Sequence, residues 1–313
     1  MASSPVTPRV AVILINLNQE DHTRECIDSL LRVTYAACEI ILIDNNSSDG
    51  SGERLHHHFP SVTYRRLEEN LGFAGGNNAG IDIALAHNAE YVLLLNNDTV
   101  VDANFIQPLV EVAASEASLG AQCGKIYQFS RRQTLWYAGG ILHVDKAYAN
   151  HRGMWENDVG QYDKIEETDF ASGCMFFVPS RVIRETGMLD DRLFIYQEDT
   201  DWCVRMKERG YRIIYNPNSR IWHKVSVTNK IDSPFYLYFT IRNKIIFLRK
   251  HSRPSRWLQH VPYFLYFFAR HLIRMSMKWH SMRGTRAVLF GIIDGLRNFT
   301  GPNGKGRFEK LLA

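Results

Sequence analysis

Two amides and a carboxylate end an apolar segment in the first third of the sequence. Tyr91-Val92-Leu93-Leu94-Leu95 runs directly into Asn96-Asn97-Asp98. Carboxylate oxygens are preferred ligands of Mg²⁺ and Mn²⁺, especially beside the oxygens of a bound phosphate, so Asp98 is a candidate metal ligand. Asparagine and aspartate are also common in turns, and this segment alone leaves the two interpretations equal.

Two later features could add to such a site. Glu198-Asp199-Thr200-Asp201 is a second acidic cluster, and His223 follows an apolar pair. Acids in the first turn of a helix are favoured by its dipole, so the cluster could simply begin a helix. His223 could join Asp98 on a metal ion, although a single histidine is more often a core or surface residue.

A glycine-rich stretch, Asn70-Leu71-Gly72-Phe73-Ala74-Gly75-Gly76-Asn77-Asn78-Ala79-Gly80, is a candidate diphosphate site. Its glycines let the backbone approach a ligand, and Asn70, Asn77 and Asn78 supply side-chain amides. It has no Gly-Lys-Ser/Thr, and Asn16-Leu17-Asn18 stands where a dinucleotide-binding fingerprint would follow the first strand. The alternative is a helix start that needs small residues for packing.

Asp44 ends a second apolar run and is followed by the turn-forming residues Asn45 to Gly50, which include Asn46. An acid at this position could accept hydrogen bonds from the base or ribose of a nucleoside, as acidic residues do in other α/β nucleotide sites. Taken alone, Asp44 is a weak signal.

Strands and helices must alternate to bring these residues together. β-branched runs at Val10 to Ile15, Glu39 to Ile43 and Val62 to Leu67 are each followed by helical or turn patterns. This alternation predicts a mostly parallel, doubly wound sheet with helices on both faces, and ligands bind such sheets at the carboxyl ends of the strands. The later half is less regular. It is expected to contain strands at Leu119 to Phe129, Trp136 to Val144, Asp169 to Pro179, Arg212 to Tyr215 and Arg220 to His223, with a mobile loop at Asp145 to Asp163.

The carboxyl-terminal part of the chain differs in charge from the rest. The 313 residues carry a formal net charge of +4, but Ser233 to Ile293 contains eleven Lys or Arg and no acid, which leaves 4 − 11 = −7 elsewhere. Aromatic and basic helices from Phe235 onward suit an anionic membrane surface, and a packing or homodimer arm is an equal alternative. Nucleic acid is not expected, because no binding motif accompanies the charge. The longest apolar runs are too short to span a bilayer, and five scattered cysteines without a CxxC pair indicate a reducing cytosol.

Four motifs in one order resemble family 2 glycosyltransferases of the GT-A fold, particularly bacterial rhamnosyltransferase-like members. They are Ile43 to Gly50, Asn70 to Gly80, Leu94 to Thr99 and Glu198 to Cys203, and the likeness covers about Val10 to His223. The resemblance implies a catalytic domain at residues 1–232, with a nucleotide-sugar half at about 9–116 and an acceptor half at about 117–232. Residues 233–313 form the basic helical region.

The same resemblance implies roles for individual residues. Asp44 would contact the base, a Gly72 to Asn78 loop would lie near the diphosphate and sugar, and Asp98 would hold Mg²⁺ or Mn²⁺ with His223 as a second ligand. Asp199 would be the general base, with Glu198 as its rival. The donor-binding set is Asn16, Asp44, Asn46, Asn70, Gly72, Gly75, Asn77, Asn78 and Asn97. The family's metal motif has two acids, whereas Asn96 stands in the first position here, which predicts a weaker or less essential ion.

The resulting hypothesis is an inverting, metal-dependent glycosyltransferase. It would move a sugar from a nucleoside diphosphate donor, dTDP-rhamnose or a UDP-sugar, to a hydroxyl of a glycan or lipid-linked acceptor in cell-surface polysaccharide synthesis. The expected location is the cytoplasmic face of the membrane. The alternative is a nucleotidyltransferase or nucleotide-sugar binding protein that performs no glycosyl transfer and needs no acceptor base.

Overall fold

The computed structural model describes residues 7–224, 233–252, 254–275, 282–301 and 304–308, with the backbone alone described for 254–258. Its strands are β1 (Val10–Asn16), β2 (Cys38–Asp44), β3 (Thr63–Arg66), β4 (Tyr91–Leu95), β5 (Thr99–Val101), β6 (Leu119–Gln128), β7 (Arg131–Tyr137), β8 (Gly140–His143), β9 (Tyr148–His151), β10 (Glu166–Glu167), β11 (Met175–Pro179) and β12 (Arg212–His223). Its α-helices are α1 (Glu20–Leu30), α2 (Ser51–His58), α3 (Gly72–Ala86), α4 (Ile106–Ser115), α5 (Ser180–Thr186), α6 (Glu198–Glu208), α7 (Pro234–His251), α8 (Pro254–Ile273) and α9 (Met282–Leu296).

One large sheet forms the centre of the molecule, in the order β10-β12-β6-β11-β4-β1-β2-β3. β1 pairs in parallel with β2 and β4, while β11 lies antiparallel between β4 and β6. All residues of β1 from Val10 to Leu14 are buried, so both faces of the sheet are covered at its centre. The predicted mostly parallel α/β fold is confirmed.

The sheet register brings the polar strand ends together. In the parallel pairing of β1 with β2, Asn16 lies opposite Asp44. β5 pairs with the end of β12, which places Thr99 opposite His223. Because Asp98 precedes Thr99, residues far apart in the sequence meet at one edge.

Four predictions about the later half are wrong in detail. The two short strands expected between Arg212 and His223 are one strand, β12, with a register shift between Asn216 and Arg220. The expected strand from Asp169 begins only at Met175, and the Trp136 to Val144 strand is divided between β7 and β8. The expected mobile loop at Asp145 to Asp163 contains β9, which is held by its pairing with β8. Glycine and polar residues interrupt the apolar periodicity of these segments, so the sequence pattern does not reveal where the strands begin and end. Pairing with neighbouring strands determines their bounds.

The helix α7 packs into the protein. Ser233 caps it by accepting a hydrogen bond from the N–H of Tyr236, and Pro234, which has no N–H to satisfy, occupies the first helical position. Leu237, Tyr238 and Phe239 are buried, and α7 packs against α9. The packing interpretation of this segment therefore holds, and the membrane interpretation fails for α7. The predicted domain division at 232/233 adjoins the undescribed residues 225–232 and stays a prediction.

Candidate active site

Asp98 and His223 form a buried pair at the carboxyl end of β4. Oδ1 of Asp98 lies 3.1 Å from Nε2 of His223, and each residue is 6% exposed. The backbone N–H of Lys224 donates a hydrogen bond of 2.9 Å to the carbonyl oxygen of Asp98, which fixes the turn against β12. The structure thus brings together the two residues that the sequence proposes as metal ligands.

The electrostatics of this pair favour an ionised carboxylate. Burial by itself raises the pKa of Asp98, but the close contact with the imidazole of His223 outweighs it and holds that pKa below its usual range. Nδ1 of His223 is buried without a hydrogen-bond partner among the described residues. One carboxylate oxygen and one imidazole nitrogen are donors that suit Mn²⁺, and the pair fits a divalent ion.

A metal ion here would need more than protein ligands. In the described part of the chain no three His, Cys, Asp or Glu side chains cluster with metal-binding geometry. Phosphate oxygens of a donor and water would complete the coordination shell, as is common for Mg²⁺ in phosphoryl sites. Asn96 stands where the family's metal motif has a second acid, and no other carboxylate of the described residues takes its place.

A chain of hydrogen bonds links the ends of β2, β1 and β4. Nδ2 of Asn16 donates to Oδ1 of Asp44 at 3.4 Å, and Oδ1 of Asn16 accepts from the hydroxyl of Thr23 at 2.9 Å. That hydroxyl accepts from Nδ2 of Asn97 at 2.8 Å. These hydrogen bonds orient the side chains between Asp44 and Asn97, the residue before Asp98. Thr23 was missed from the sequence because it lies inside the α1 pattern.

Asp44 retains one free acceptor in this arrangement. Its Oδ2 accepts no hydrogen bond from the described residues, and Nε of Arg66 stands 3.8 Å away. A buried carboxylate oxygen without a partner is costly unless a ligand supplies a donor. This observation fits the predicted contact with a base or ribose.

The glycine-rich stretch is a helix and not the loop that was expected. Helix α3 begins at Gly72, whose φ of +73° is accessible to glycine and where a Cβ would lie 2.4 Å from the carbonyl oxygen of Phe194. A Cβ at Gly75 would approach that of Leu71, so this glycine is required by packing. Packing therefore requires glycine at both positions, and the predicted contact of Gly72 and Gly75 with the diphosphate stays a prediction.

The amides of this stretch are also engaged by the protein. Asn77 donates to the carbonyl oxygen of Phe73, and Asn78 exchanges two hydrogen bonds with the backbone of Leu189. Asn70 accepts from Asn45 beside Asp44. Asn46 is half-buried with a φ of +66° in the same turn. Asn46 and Asn70 thus lie near the Asp44 end, whereas Asn77 and Asn78 hold α3 in place.

Asp199 and Glu198 are adjacent at the start of α6, but their carboxyl groups have different surroundings. Oδ2 of Asp199 accepts from the backbone N–H of Gly173 at 2.9 Å, and Oδ1 accepts from that of Thr200 at 2.7 Å. Burial raises the pKa of Asp199, and these hydrogen bonds counteract the rise. Burial and the charge of Asp199 raise the pKa of Glu198 well above its ordinary value.

Only Asp199 of the two faces open space. It lines a cavity of about 490 Å³, together with Trp136, His151, Gln197 and Lys244, whereas Glu198 does not line it. A more open cavity of about 560 Å³ lies at the amino ends of β2 and β3, next to Cys38 and Thr63, away from these residues. The first cavity is therefore the candidate acceptor site, with Asp199 as the carboxylate that reaches it.

Trp136 connects this cavity to the pair of Asp98 and His223. The sequence patterns do not indicate this role. Its ring lies edge-on to those of His223 and His151, with centroids 4.6 and 4.4 Å apart. Burial lowers the pKa of His151 to about 4, so that ring is neutral at pH 7. Nothing in the irregular Asp145 to Asp163 pattern singles out His151, because its role depends on strand pairing.

Helix α7 closes the other side of the cavity through Lys244, and His251 links the same helix to α6. Nζ of Lys244 donates to the carbonyl oxygens of Lys146 and Ala147 at 2.7 Å each, and Gln197 donates to the same Ala147 oxygen. Nε2 of His251 lies 2.7 Å from Oδ1 of Asp201 on α6. In the sequence, Lys244 is one of several cations in the aromatic and basic run from Phe235 onward, and nothing in that pattern shows that it is buried.

Solved structures with a similar fold are glycosyltransferases. The structure of GalNAc-T7 with UDP, GalNAc and Mn²⁺ has a TM-score of 0.61 at 16% identity over 84% of this chain and 58% of that chain. The mannosyltransferase PcManGT from Pyrobaculum calidifontis, in complex with GDP-Man and Mn²⁺, has a TM-score of 0.56 at 15% identity over 96% and 78%. The fold is that of a GT-A glycosyltransferase.

Sequence comparisons give the family. The model of glycosyl transferase family 2 matches residues 11–187, more than half of the chain. The dTDP-rhamnosyl transferase RfbF of Shigella flexneri is 24% identical over 84% of this chain and 88% of its own length. The N-acetylglucosaminyl-diphospho-decaprenol L-rhamnosyltransferase of Mycobacterium tuberculosis is 23% identical over 80% and 89%. The low-salt glycan biosynthesis hexosyltransferase Agl10 of Haloferax volcanii is 23% identical over 93% and 92%.

The chain belongs to glycosyl transferase family 2 and is a glycosyltransferase with rhamnosyltransferase-like relatives. The resemblance found in the four motifs is thereby confirmed. The alternative of a binding protein or nucleotidyltransferase without glycosyl transfer is set aside.

Proposed function

We propose that this protein transfers a sugar, with inversion, from a nucleoside diphosphate donor to a hydroxyl group of a glycan or lipid-linked glycan. One observation carries the proposal. The backbone of Gly173 and Cys174 touches both halves of the site, because Gly173 donates to Asp199 and Cys174 accepts from the N–H of Asn96. The base and the strand that delivers Asp98 are thus held by neighbouring residues.

The donor would lie along the polar strand ends. Asp44, with its free carboxylate oxygen, would accept from the base or ribose, and Asp98 with His223 would hold Mg²⁺ or Mn²⁺ against the diphosphate. A divalent ion supplies Lewis-acid stabilisation to the negative charge of the departing diphosphate when it is bound. The Mn²⁺ and nucleotide in both similar structures support this assignment. The names of two relatives make dTDP-rhamnose the first donor to test, followed by UDP-sugars.

Asp199 would act as the general base in the acceptor cavity. Its carboxylate takes the proton of the acceptor hydroxyl as that oxygen bonds to the anomeric carbon. The bond between that carbon and the diphosphate oxygen breaks, and the electron pair leaves with the nucleoside diphosphate. Because the base and the leaving group act on opposite sides of the sugar, one displacement inverts the anomeric carbon. A positioned base contributes about 10²–10⁴-fold in rate.

The surroundings of Asp199 suit this task. Burial raises its pKa, which makes the carboxylate a better proton acceptor, while two backbone N–H groups fix its orientation. Aromatic rings in the cavity, including Trp136 and Tyr148, offer flat apolar surfaces of the kind that stack on sugar rings.

A cytoplasmic role in polysaccharide synthesis is proposed from the cysteines and from the name of one relative. The five cysteines are all free thiols, as is usual in a reducing compartment. The relative Agl10 is named for glycan biosynthesis. Among the described helices, none is both long and apolar enough to cross a membrane.

A donor panel tests the proposal. The purified chain is incubated with dTDP-rhamnose, UDP-sugars and GDP-mannose, with Mg²⁺ or Mn²⁺ and then with chelator, and nucleoside diphosphate release is measured. Release that depends on one donor, rises with a glycan acceptor and yields the inverted linkage by NMR supports the proposal. Retention of configuration, or no release with any donor and acceptor, would overturn it.

A further inference from the structure

Helix α8 is apolar on both of its faces, although only one faces the protein. Phe267 and His271 line the acceptor cavity. On the opposite side Leu265 and Tyr266 are each 66% exposed, and Ile273 is 58% exposed. At 3.6 residues per turn, positions 262, 265, 266, 269 and 273 share this outer face, and all five are exposed. An exposed apolar row on the outer side of a packed helix marks an interaction surface.

The neighbouring helix α9 presents a second exposed apolar row. Met282, Leu289 and Leu296 recur at seven-residue intervals, which places them on one face, and they are 71%, 45% and 54% exposed. The exposed cations Arg283, Arg286 and Arg297 flank this row. Helix α9 is also in contact with α8. Apolar residues bordered by arginines are the pattern of a helix that lies in a lipid interface.

We propose that the exposed rows of α8 and α9, here called the α8–α9 surface, bind the protein to an anionic phospholipid bilayer. The apolar side chains would enter the boundary between head groups and acyl chains, and the arginines would pair with lipid phosphates. The charge of this region identifies the partner of the α8–α9 surface as an anionic lipid. The sequence from Ser233 to Ile293 contains no acidic residue, so this surface is complementary to anionic lipid.

A second copy of the chain suits this surface less well. In a two-fold dimer the same patch contacts itself, so the arginines of one copy would face those of the other with no acid between them. The assignment also moves the membrane contact predicted from Phe235 onward. Helix α7 is buried, and the exposed apolar residues lie on α8 and α9.

The orientation that follows concerns the acceptor. One side of α8 would lie in the lipid while its other side lines the cavity that Asp199 reaches. An acceptor attached to the same bilayer would then be presented at the cavity without leaving the membrane. This consequence rests on the proposed function, whereas the lipid contact itself does not.

Vesicle sedimentation with the full chain tests the α8–α9 surface. Vesicles of phosphatidylcholine alone are compared with vesicles in which roughly one lipid in three is phosphatidylglycerol. The wild type should bind the anionic vesicles preferentially. Leu265→Glu combined with Tyr266→Glu should weaken binding about tenfold or more, since two apolar side chains leave the interface. Arg283→Gln with Arg286→Gln should weaken it by roughly fivefold for each charge.

Val159→Glu is the matched control, because Val159 is an apolar residue that is 84% exposed outside the α8–α9 surface. It should bind vesicles like the wild type, and thermal melting should show that all variants are folded. Absence of preferential binding, or equal losses in the control, overturns the proposal. A sedimentation coefficient that falls from dimer to monomer in the glutamate variant, without loss of vesicle binding, would assign the surface to a second copy. Donor hydrolysis in solution is measured separately, so failure of the lipid contact is distinguishable from failure of the proposed reaction.

Discussion

Nε2 of His223 lies 3.1 Å from Oδ1 of Asp98, although one residue ends β12 and the other follows β4. The contact depends on the antiparallel pairing of β5 with β12, which sets Thr99 opposite His223. The proposed metal site, with one acid in place of two, would thus use an imidazole from another part of the sheet. Four experiments on the active site and one on the cavity wall follow from the structure.

The metal pair is tested by Asp98→Asn and His223→Ala. Each change removes one of two protein donors, so Mn²⁺ affinity, measured by electron paramagnetic resonance with the nucleoside diphosphate present, should fall at least about tenfold. Asn96→Asp adds a second carboxylate next to this pair and should tighten Mn²⁺ binding. Unchanged Mn²⁺ affinity in all three variants would remove Asp98 and His223 from the metal site.

The general base is tested by Asp199→Asn against Glu198→Gln. The Asn variant should lose about 10²–10⁴-fold in transfer rate while donor affinity, measured by calorimetry, stays within a few-fold. Glu198→Gln should retain most of the activity, because Glu198 does not line the cavity. If the Gln variant is inactive and the Asn variant active, the base role belongs to Glu198.

Glu198 should make stability fall as pH rises. Its folded-state pKa lies well above the ordinary value of 4.5, so the folded protein retains a proton that the unfolded chain releases. The stability that this group contributes is fully present below pH 4.5 and is lost as the pH rises through the raised pKa. Glu198→Gln should therefore match the wild type near pH 4 and exceed it in free energy of unfolding near pH 8. Denaturant titrations at both pH values measure this, and parallel curves would contradict it.

Lys224 should strengthen donor binding at the edge of the metal pair. Its Nζ lies 3.1 Å from Nδ1 of His22, whose charge also lowers the pKa of Asp98, and it is paired with the exposed acid Glu25. Lys224→Met removes a cation from the residue whose backbone N–H donates to Asp98, so, if the donor diphosphate binds there as proposed, KM for the donor should rise several-fold with a smaller change in kcat. Glu25→Gln, which leaves Lys224 unpaired, should not raise KM. Equal effects of the two changes would indicate a structural salt bridge only.

Lys244 should hold the wall of the acceptor cavity. Burial lowers its pKa to about 7, and its ammonium group satisfies two carbonyl oxygens next to β9. Lys244→Met leaves both oxygens without this donor, which should cost about 1–3 kcal/mol of stability. KM for the acceptor should rise while donor hydrolysis without acceptor is preserved. A variant with unchanged acceptor KM would show that the wall does not depend on Lys244.

Because the folded-state pKa of Lys244 lies below its ordinary value of 10.5, the unfolded chain binds more protons between about pH 7 and 10.5. The contribution of this lysine to stability therefore improves as the pH rises through that window. The stability loss in the Met variant should be larger at pH 9 than at pH 6, which thermal melts at the two pH values would measure.

Local patterns in the sequence determined the elements of the sheet and the order of the motifs. Apolar runs such as Tyr91 to Leu95 specify buried strands because both faces must be covered, and the polar residues that end them have to emerge at one edge. Asp44 and Asp98 could be selected in this way, Asp199 came from the acidic cluster that begins α6, and the family followed from four motifs in register. The membership and fold are confirmed, whereas the roles of these residues stay predictions.

Tertiary structure alone decided which groups meet and which are withdrawn from solvent. The pairing of β5 with β12 brings His223 next to Asp98. Of the neighbours Glu198 and Asp199, only Asp199 lines the cavity of about 490 Å³. Period and composition could not reveal that Gly72 begins a helix packed under Phe194, or that Lys244 is buried in α7. Each of these outcomes depends on contacts between residues distant in sequence. The free energy of burying a charge or a backbone carbonyl is set by such contacts, not by local propensity.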